Sequence, residues 1–157
     1  MIVLRAARAL ENGASHAEVV SLMEEWKSKS VVRVSVTTLK YIVRSGRVSP
    51  FKSFVAKLLD LKPVIAIDAE GKASLFSKSF SSQGCMKKVM ENIMKVTQGK
   101  KIWEYAITHA NNPSAAQWYA GEMEKLTGKK PIFIDHASPA LAANIGPGIA
   151  CVSLMLE

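Results

Sequence analysis

The most informative segment for the fold is Pro63-Val-Ile-Ala-Ile-Asp-Ala-Glu-Gly-Lys-Ala-Ser-Leu-Phe-Ser-Lys-Ser-Phe80. Its two apolar runs, PVIAI and ASLFSKSF, flank Asp68-Ala-Glu-Gly71, and a glycine in such a short polar connection is typical of an antiparallel β-hairpin. Helix and strand patterns alternate along the rest of the chain. A purely parallel sheet has no tight hairpins, so the sequence predicts an α/β fold with a mixed β-sheet and helices packed on it.

The other elements follow from apolar periodicity and from capping signals on either side of the hairpin. The remaining predicted strands are Val31 to Val36, Trp103 to Thr108, Pro131 to Ile134 and Ile149 to Leu156. Three helices are predicted before the hairpin: Ile2 to Leu10, a second capped by Ser15 with Glu18, and a third capped by Thr37 or Thr38 and ended by Gly46. A fourth helix begins at Ser49-Pro50. After the hairpin, one helix runs through Met86 to Met94, and another begins at Asn112-Pro113 and ends at Gly128.

Length and composition indicate one domain. The chain has 157 residues, 48% of them apolar and 22% charged, which is typical of a globular protein. We expect a single domain over residues 1–157, with residues 1–30 as a helical lead-in. Arg5 and Arg8 interrupt the apolar opening that a signal peptide needs, and the uncharged run from His136 to Leu156 contains prolines and glycines. The sequence therefore predicts a cytoplasmic protein without a membrane span.

The residue types that usually mark an enzyme do not form a recognisable set. The three histidines, His16, His109 and His136, have no metal-ligand spacing, and neither a P-loop nor a GxGxxG motif is present. The two cysteines, Cys85 and Cys151, lie in apolar patterns that predict reduced core residues. We expect no catalytic residues, no metal and no cofactor, and hence a protein that is not an enzyme.

Two loops are candidates for binding. In Asn144-Ile-Gly-Pro-Gly148, the glycines allow positive φ or a close approach to a ligand, and free amide groups there could bind an oxyanion. The alternative is a tight turn before a buried strand. In Arg44-Ser-Gly-Arg47, the last guanidinium could hold a carboxylate with two hydrogen bonds, or could simply be solvated beside a helix end.

The net charge of +8 points to an anionic partner without choosing one. Between Trp26 and Lys62 the sequence contains nine Lys or Arg residues and one acidic residue, Asp60. Such a run is either a solvated surface or a docking surface for an acidic partner. Nucleic acid is the weaker candidate for the anionic partner, because the basic residues are not interleaved with aromatic residues on which bases could stack.

Four segments together resemble the DegV family, the bacterial fatty-acid-binding proteins. LKYIVRSGRVS (residues 39–49) resembles the family's segment ending in Gly-Gly-Arg, with Ser45 in place of its first glycine. The family's next helix and hairpin are similar to FVAKLLDLKPVIAIDAEGKASLFSK (54–78), and its strand, His-x-Asn and helix are similar to ITHANNPSAAQW (107–118). His109 therefore matches a family position, where it would be either a structural hydrogen-bonding residue or part of a pocket wall. SPALAANIGPGIA (138–150) lies where the family has His-x-Gly-Pro-Gly, with Asn144 in place of the histidine.

The order and spacing of these segments agree over Val31 to Leu156, so the resemblance implies the fold of the C-terminal DegV domain. Family members hold a fatty acid between two α/β domains and present it to a kinase that makes an acyl phosphate. This chain looks like the C-terminal domain only, without the N-terminal domain. The implied partners are a long-chain fatty acid, a fatty acid kinase, and either an N-terminal DegV domain or a second copy of the chain.

The resemblance also assigns roles to residues of the chain. Arg47 would bind the carboxylate, Asn144 and the Gly146-Pro147-Gly148 backbone would frame it, and a set of apolar residues would lie near the acyl chain: Leu39, Phe54, Leu58 and Leu59. These four are equally suitable as core residues. The alternative function is a ligand-free interaction or regulatory module that kept the fold, motivated by Asn144, which cannot titrate near neutral pH.

Overall fold

The computed structural model describes residues 1–46, 61–68 and 70–157 of the chain. They form six helices and six strands, in the order α1 Ile2–Glu11, α2 His16–Ser28, β1 Ser30–Ser35, α3 Lys40–Arg44, β2 Lys62–Ile67, β3 Ala73–Ser79, α4 Ser82–Thr97, β4 Ile102–His109, α5 Pro113–Thr127, β5 Ile134–His136, α6 Pro139–Ile145 and β6 Ala150–Leu156. In these ranges no helix is both long and apolar enough to cross a bilayer.

The strands form one mixed sheet, ordered β3-β2-β1-β6-β4-β5. β2 and β3 pair antiparallel, as the hairpin predicted, whereas β4 and β5 pair parallel. β6 lies between β1 and β4 and runs antiparallel to both, so Ala150 at its start pairs with Ser35 on one side and with His109 on the other. The prediction of a mixed α/β sheet is confirmed.

Helices cover both faces of this sheet. α4 and α5 pack on one face, where Val89, Ile93, Tyr119 and Met123 contact the alternate residues of β6 that include Val152. The opposite face is covered by two helix pairs at its two ends: α3 and α6 over the start of β6, and α1 and α2 over its end at Met155. Cys85 and Cys151 are both buried, as predicted, but lie in the cores on opposite faces.

Three local predictions need correction or cannot be tested. Neither Thr37 nor Thr38 caps α3, because the N-cap is Leu39, although the Thr38 hydroxyl accepts a hydrogen bond from the Lys40 amide. The strand predicted from Pro131 begins only at Ile134. The helix predicted from Ser49-Pro50 lies outside the described residues.

A further helix, α6, was not predicted at all. Ser138 accepts a hydrogen bond from the Leu141 amide and Pro139 occupies the first helical position. This is the same cap-and-proline signal that starts α5 at Asn112-Pro113. The signal was present in the sequence, but the glycines that follow it suggested a loop.

Candidate functional site

One edge of the sheet gathers the ends of three strands. Because β6 is antiparallel to its neighbours, its first residues lie beside the last residues of β1 and β4. Thr37 follows β1, Asn112 follows β4 and Gly148 precedes β6, so the fold places all three together. We call this part of the molecule the loop edge, after the Gly146–Gly148 loop.

Tyr41 of α3 holds one end of that loop. Gly146 is buried with a φ of +95°, and a Cβ placed on it would lie closer than 3.0 Å to three atoms of the Tyr41 ring. The position therefore needs glycine for two reasons, its backbone conformation and the missing side chain. The loop is packed directly against α3, which ends at Arg44.

Two polar side chains hold the other end of the loop. The Thr37 hydroxyl donates to the Pro147 carbonyl at 3.1 Å, and the Asn112 amide donates to the Gly148 carbonyl at 2.7 Å. Gly148 has a φ of +87° and lies against Thr37, whose Cγ2 would be 2.8 Å from an added Cβ. Each residue of the loop is thus fixed by a neighbour from a different element.

The glycine amides are occupied, which corrects the expectation that they could bind an oxyanion. The Gly146 amide donates to the Ala142 carbonyl at 2.7 Å and the Gly148 amide donates to the Ala110 carbonyl at 2.6 Å. Pro147 has no amide hydrogen. The loop can therefore shape a binding surface, but the hydrogen-bond donors at this edge must come from other groups.

His109 accepts a hydrogen bond that holds the backbone of Asn112 in place. It is buried, its Nδ1 accepts a hydrogen bond of 3.3 Å from the Asn112 backbone amide, and its ring meets His136 edge-on with centroids 4.6 Å apart. Burial lowers the pKa of His109, and the neighbouring His136 lowers it further, against a small opposing effect of Asp135. Of the two roles open for His109, the structure favours the structural hydrogen bond.

A small cleft of about 10 Å³ lies between these residues and the N-terminus of α4. Its lining contains no acidic side chain and comprises Ser35, Val36, Thr37, Ser82, Cys85, Met86, Asn112 and Gly148. The Ser82 hydroxyl is exposed and makes no hydrogen bond with the described part of the chain. Because α4 and α5 both start here, their positive dipole ends favour an anion at this edge. Their first-turn amides are partly occupied: Pro113 has no amide hydrogen, the Ala115 amide donates to Asn112 and the Gly84 amide donates to Ser81.

At about 10 Å³ the cleft has about the room that one water molecule needs, far below the 300 Å³ or so at which ligand pockets usually begin. In the described ranges, no group of three His, Cys, Asp or Glu side chains could hold a metal ion. The described lining contains neutral hydroxyl and amide groups and no carboxylate or imidazole. Its one thiol, Cys85, is buried and donates to the Pro63 carbonyl, and burial raises its pKa.

The structure brings together only part of the predicted site. Gly146, Pro147 and Gly148 lie at the loop edge, and Asn144 lies two residues before Gly146 on α6, where its side-chain amide donates to the Ala140 carbonyl at 2.7 Å. Leu39 is buried among core residues such as Ile42 and Ile149. Four predicted residues lie outside the described residues: Arg47, Phe54, Leu58 and Leu59.

Sequence reasoning missed the side chains that hold the loop. Thr37 and Asn112 were identified only as helix caps, and Tyr41 was not singled out. All three follow β1 or β4 within a few residues, and polar side chains just after neighbouring strands are a usable signal for a shared site. The signal becomes specific only when the strand order is known.

The fold and this edge define a class of protein: an α/β domain with a mixed sheet and a glycine-framed loop at one end of it. Residues 1–157 match the family described as "Uncharacterised protein, DegV family". The chain belongs to the DegV family, as the resemblance of its four segments implied.

Curated relatives agree over nearly the whole chain. A DegV domain-containing protein of Clostridium acetobutylicum is 24% identical over 157 residues, which are 99% of this chain and 56% of that protein. One from Listeria monocytogenes is 29% identical over 150 residues, covering 93% of this chain and 52% of the relative. The chain thus spans about half the length of the curated relatives it matches.

Solved structures share the fold. A structure described as fatty acid binding of a DegV family protein from Thermus thermophilus superposes with a TM-score of 0.87 at 24% identity, over 100% of this chain and 56% of that one. A stearic acid-binding protein from Eubacterium ventriosum gives a TM-score of 0.87 at 16% identity, over 99% and 54%. At such identities the likeness shows the fold, and the DegV fold of this chain is confirmed.

Proposed function

We propose that this chain binds a long-chain fatty acid as the C-terminal half of a DegV-type carrier and is not itself an enzyme. The observation that carries the proposal is the loop edge: donors and two helix N-termini converge there in a cleft without acidic side chains. The solved relatives described as fatty acid binding support the choice of a carboxylate with an acyl chain over other anions.

The carboxylate would be held by side chains and not by the loop amides. The exposed Ser82 hydroxyl would donate to it, and Asn112 and Thr37 fix the Gly146–Gly148 loop that limits the space around the headgroup. Arg47 would add a guanidinium, as the family resemblance implies. Charge-assisted hydrogen bonds of this kind are stronger than those between neutral groups.

The acyl chain would supply most of the affinity. Burial contributes about 0.8 kcal/mol per CH2, so a 16-carbon chain offers roughly 11–12 kcal/mol before association costs of about 4–15 kcal/mol. At about 10 Å³ the cleft cannot enclose such a chain, so the acyl chain would lie outside it. Phe54, Leu58 and Leu59 are the residues proposed for one wall of its slot, as the family resemblance implies, with the opposite wall from an N-terminal DegV domain or a second copy. We therefore expect weak binding by this chain alone.

Presentation of the acid to a kinase is the finer part of the proposal and rests on the family resemblance. The kinase would transfer the γ-phosphoryl group of ATP to a carboxylate oxygen, giving an acyl phosphate and ADP. The lack of a general base at the loop edge fits a carrier, because the chemistry would be done by the partner.

The test is an NMR titration of the isotope-labelled chain with decanoate, a fatty acid that stays soluble at the concentrations weak binding requires. We expect shift changes at Thr37, Asn112 and Gly148, with decanol giving a much smaller effect because it carries no charge. Asn112→Asp should weaken binding at least tenfold, since it places a carboxylate at the site, whereas Lys101→Glu, far from the loop edge, should not. Unchanged spectra, or equal responses to acid and alcohol, would contradict the proposal.

One observation favours the alternative of a ligand-free interaction module. Asn144 stands where the family has a histidine, and its side-chain amide bonds the Ala140 carbonyl within its own helix. If Asn144→His raises decanoate affinity from an undetectable level to a measurable one, the natural chain has lost the ligand and the interaction module is the better assignment. An equal affinity in both variants supports the carrier.

A further inference from the structure

Arg33 is a half-buried cation for which the described part of the chain supplies no counterion. It lies on β1, on the face covered by α4, where its Nε donates to the Asn92 side chain and its Nη1 donates to the Val32 carbonyl at 2.8 Å. In the described ranges no carboxylate lies within ion-pair distance of it. Burial lowers the pKa of Arg33, yet a guanidinium stays charged at neutral pH. An uncompensated buried charge is costly, which makes the position a candidate for an external anion.

A bulge on the edge strand places an aromatic ring over this cation. Leu75 pairs with Ile65 and Ser77 pairs with Val64, so Phe76 is the extra residue in β3. The Arg33 guanidinium carbon lies 5.5 Å from the centroid of the Phe76 ring, which is nevertheless 47% exposed. β-Bulges commonly re-aim a side chain and interrupt the pairing edge of a sheet. This bulge turns Phe76 toward α4 and leaves it open to solvent.

Lysines from α4 complete the surface, which we call the Phe76 patch: Arg33, Phe76, Lys88, Asn92 and Lys95. Phe76, Lys88, Asn92 and Lys95 line a shallow cavity of about 210 Å³, together with Ser77 and Glu91. The Lys88 ammonium donates to the Lys78 carbonyl at 2.6 Å, so it is held against β3. The surroundings of the exposed Phe76 ring therefore carry three positively charged side chains, Arg33, Lys88 and Lys95, and one carboxylate, Glu91.

We propose that the Phe76 patch is a docking surface for an acidic segment of another protein, with an apolar side chain of that segment against the Phe76 ring. Aromatic residues and arginine are the types that dominate binding energy at protein interfaces. The positive charges select carboxylates, and Phe76 supplies an apolar anchor next to them.

Charge decides against a second copy of this chain as the occupant. The chain carries a net charge of +8, and an edge-to-edge pair would bring the lysines around β3 of both copies together. The bulge also interrupts the regular ladder that strand addition requires. The patch is independent of the loop edge, since its residues lie beside the middle of α4 and not at its N-terminus.

The test is NMR titration of the full chain with a blocked peptide, Gly-Glu-Glu-Phe-Glu-Glu-Gly, compared with the same peptide carrying lysines in place of the glutamates. We expect the acidic peptide to shift the amides of Phe76, Ser77 and Asn92, and the basic peptide not to. Phe76→Ala and Lys95→Glu should each reduce the affinity at least fivefold. The matched controls, Phe133→Ala at 46% exposure and Lys101→Glu, should change it less than twofold.

Three results would overturn the proposal. Equal binding of both peptides would show that charge is not recognised, and equal effects of the patch and control variants would show that binding lies elsewhere. Inorganic phosphate that shifts the same amides as strongly as the peptide would make the site a small-anion pocket. Because the two phenylalanines are nearly half exposed and the two lysines lie on the surface, all four variants should fold, which circular dichroism can check.

Discussion

The side-chain amide of Asn112 donates to the Gly148 carbonyl at 2.7 Å while its side-chain oxygen accepts from the Ala115 amide at 3.2 Å. One residue therefore caps α5 and holds the loop before β6. Its own backbone amide donates to His109. This relationship couples the start of a helix to the shape of the loop edge, and it can be tested separately from ligand binding.

Asn112→Asp should release the loop without removing the helix cap. Aspartate keeps an acceptor for Ala115 but cannot donate to Gly148, so the variant should lose about 1 kcal/mol of unfolding free energy and exchange the Gly148 amide faster. Ser81→Asp is the matched control, because it introduces the same charge at the cap of α4 without a link to the loop. Equal exchange rates for Gly148 in both variants would contradict the coupling.

Gly146→Ala should be much more damaging than Gly13→Ala. Both glycines have positive φ, +95° and +91°, but an added Cβ at Gly13 meets nothing within 4 Å whereas one at Gly146 overlaps Tyr41. Both variants suffer backbone strain, and Gly146→Ala should cost about 1–3 kcal/mol more because the ring must move. Urea unfolding measures the difference, and equal losses would mean that the ring moves aside at no cost.

Two buried tyrosines should respond in opposite ways to loss of the hydroxyl. The Tyr105 hydroxyl donates to the Lys129 carbonyl at 2.7 Å, whereas the buried Tyr119 hydroxyl has good hydrogen-bond geometry with none of the described residues and only the Ser35 hydroxyl close to it. Tyr105→Phe should lower the unfolding free energy by about 1 kcal/mol, and Tyr119→Phe should leave it unchanged or raise it by a similar amount. A clear loss on Tyr119→Phe would reveal a partner for that hydroxyl.

His109 should make stability depend on pH in the acidic range. Its pKa is lowered in the folded state by burial and then by His136, so the unfolded chain binds a proton more readily. Stability should therefore be full above the ordinary histidine pKa of about 6.5 and fall as pH drops below it, levelling off below the folded-state pKa.

Urea unfolding between pH 7 and pH 5 tests this dependence. His109→Asn, which can still accept from the Asn112 amide, should reduce the fall in stability, whereas replacement of the exposed His16 by Asn should not. An NMR titration of the His109 ring that gives a midpoint above 6.5 would contradict the expected direction, whatever the variants do.

Local signals in the sequence predicted most elements because each depends on neighbouring residues. The capping box of Ser15 and Glu18, the Asn112-Pro113 helix start and the hairpin at Gly71 all occur as expected. They require only contacts across a few positions, and such contacts are visible in spacing. The spacing of residues does not show which strands pair with each other. The sequence therefore predicts a mixed sheet but not its strand order.

The sequence by itself determined the fold class, the main helix starts and the Gly-Pro-Gly loop as a point of constraint. Only the tertiary structure decided that Thr37 and Asn112 hold this loop, that its amides are occupied and that a bulge sets Phe76 over Arg33. These contacts join residues far apart in the chain. They depend on strand register, which is fixed by the packing of all six strands together and not by any local run of residues.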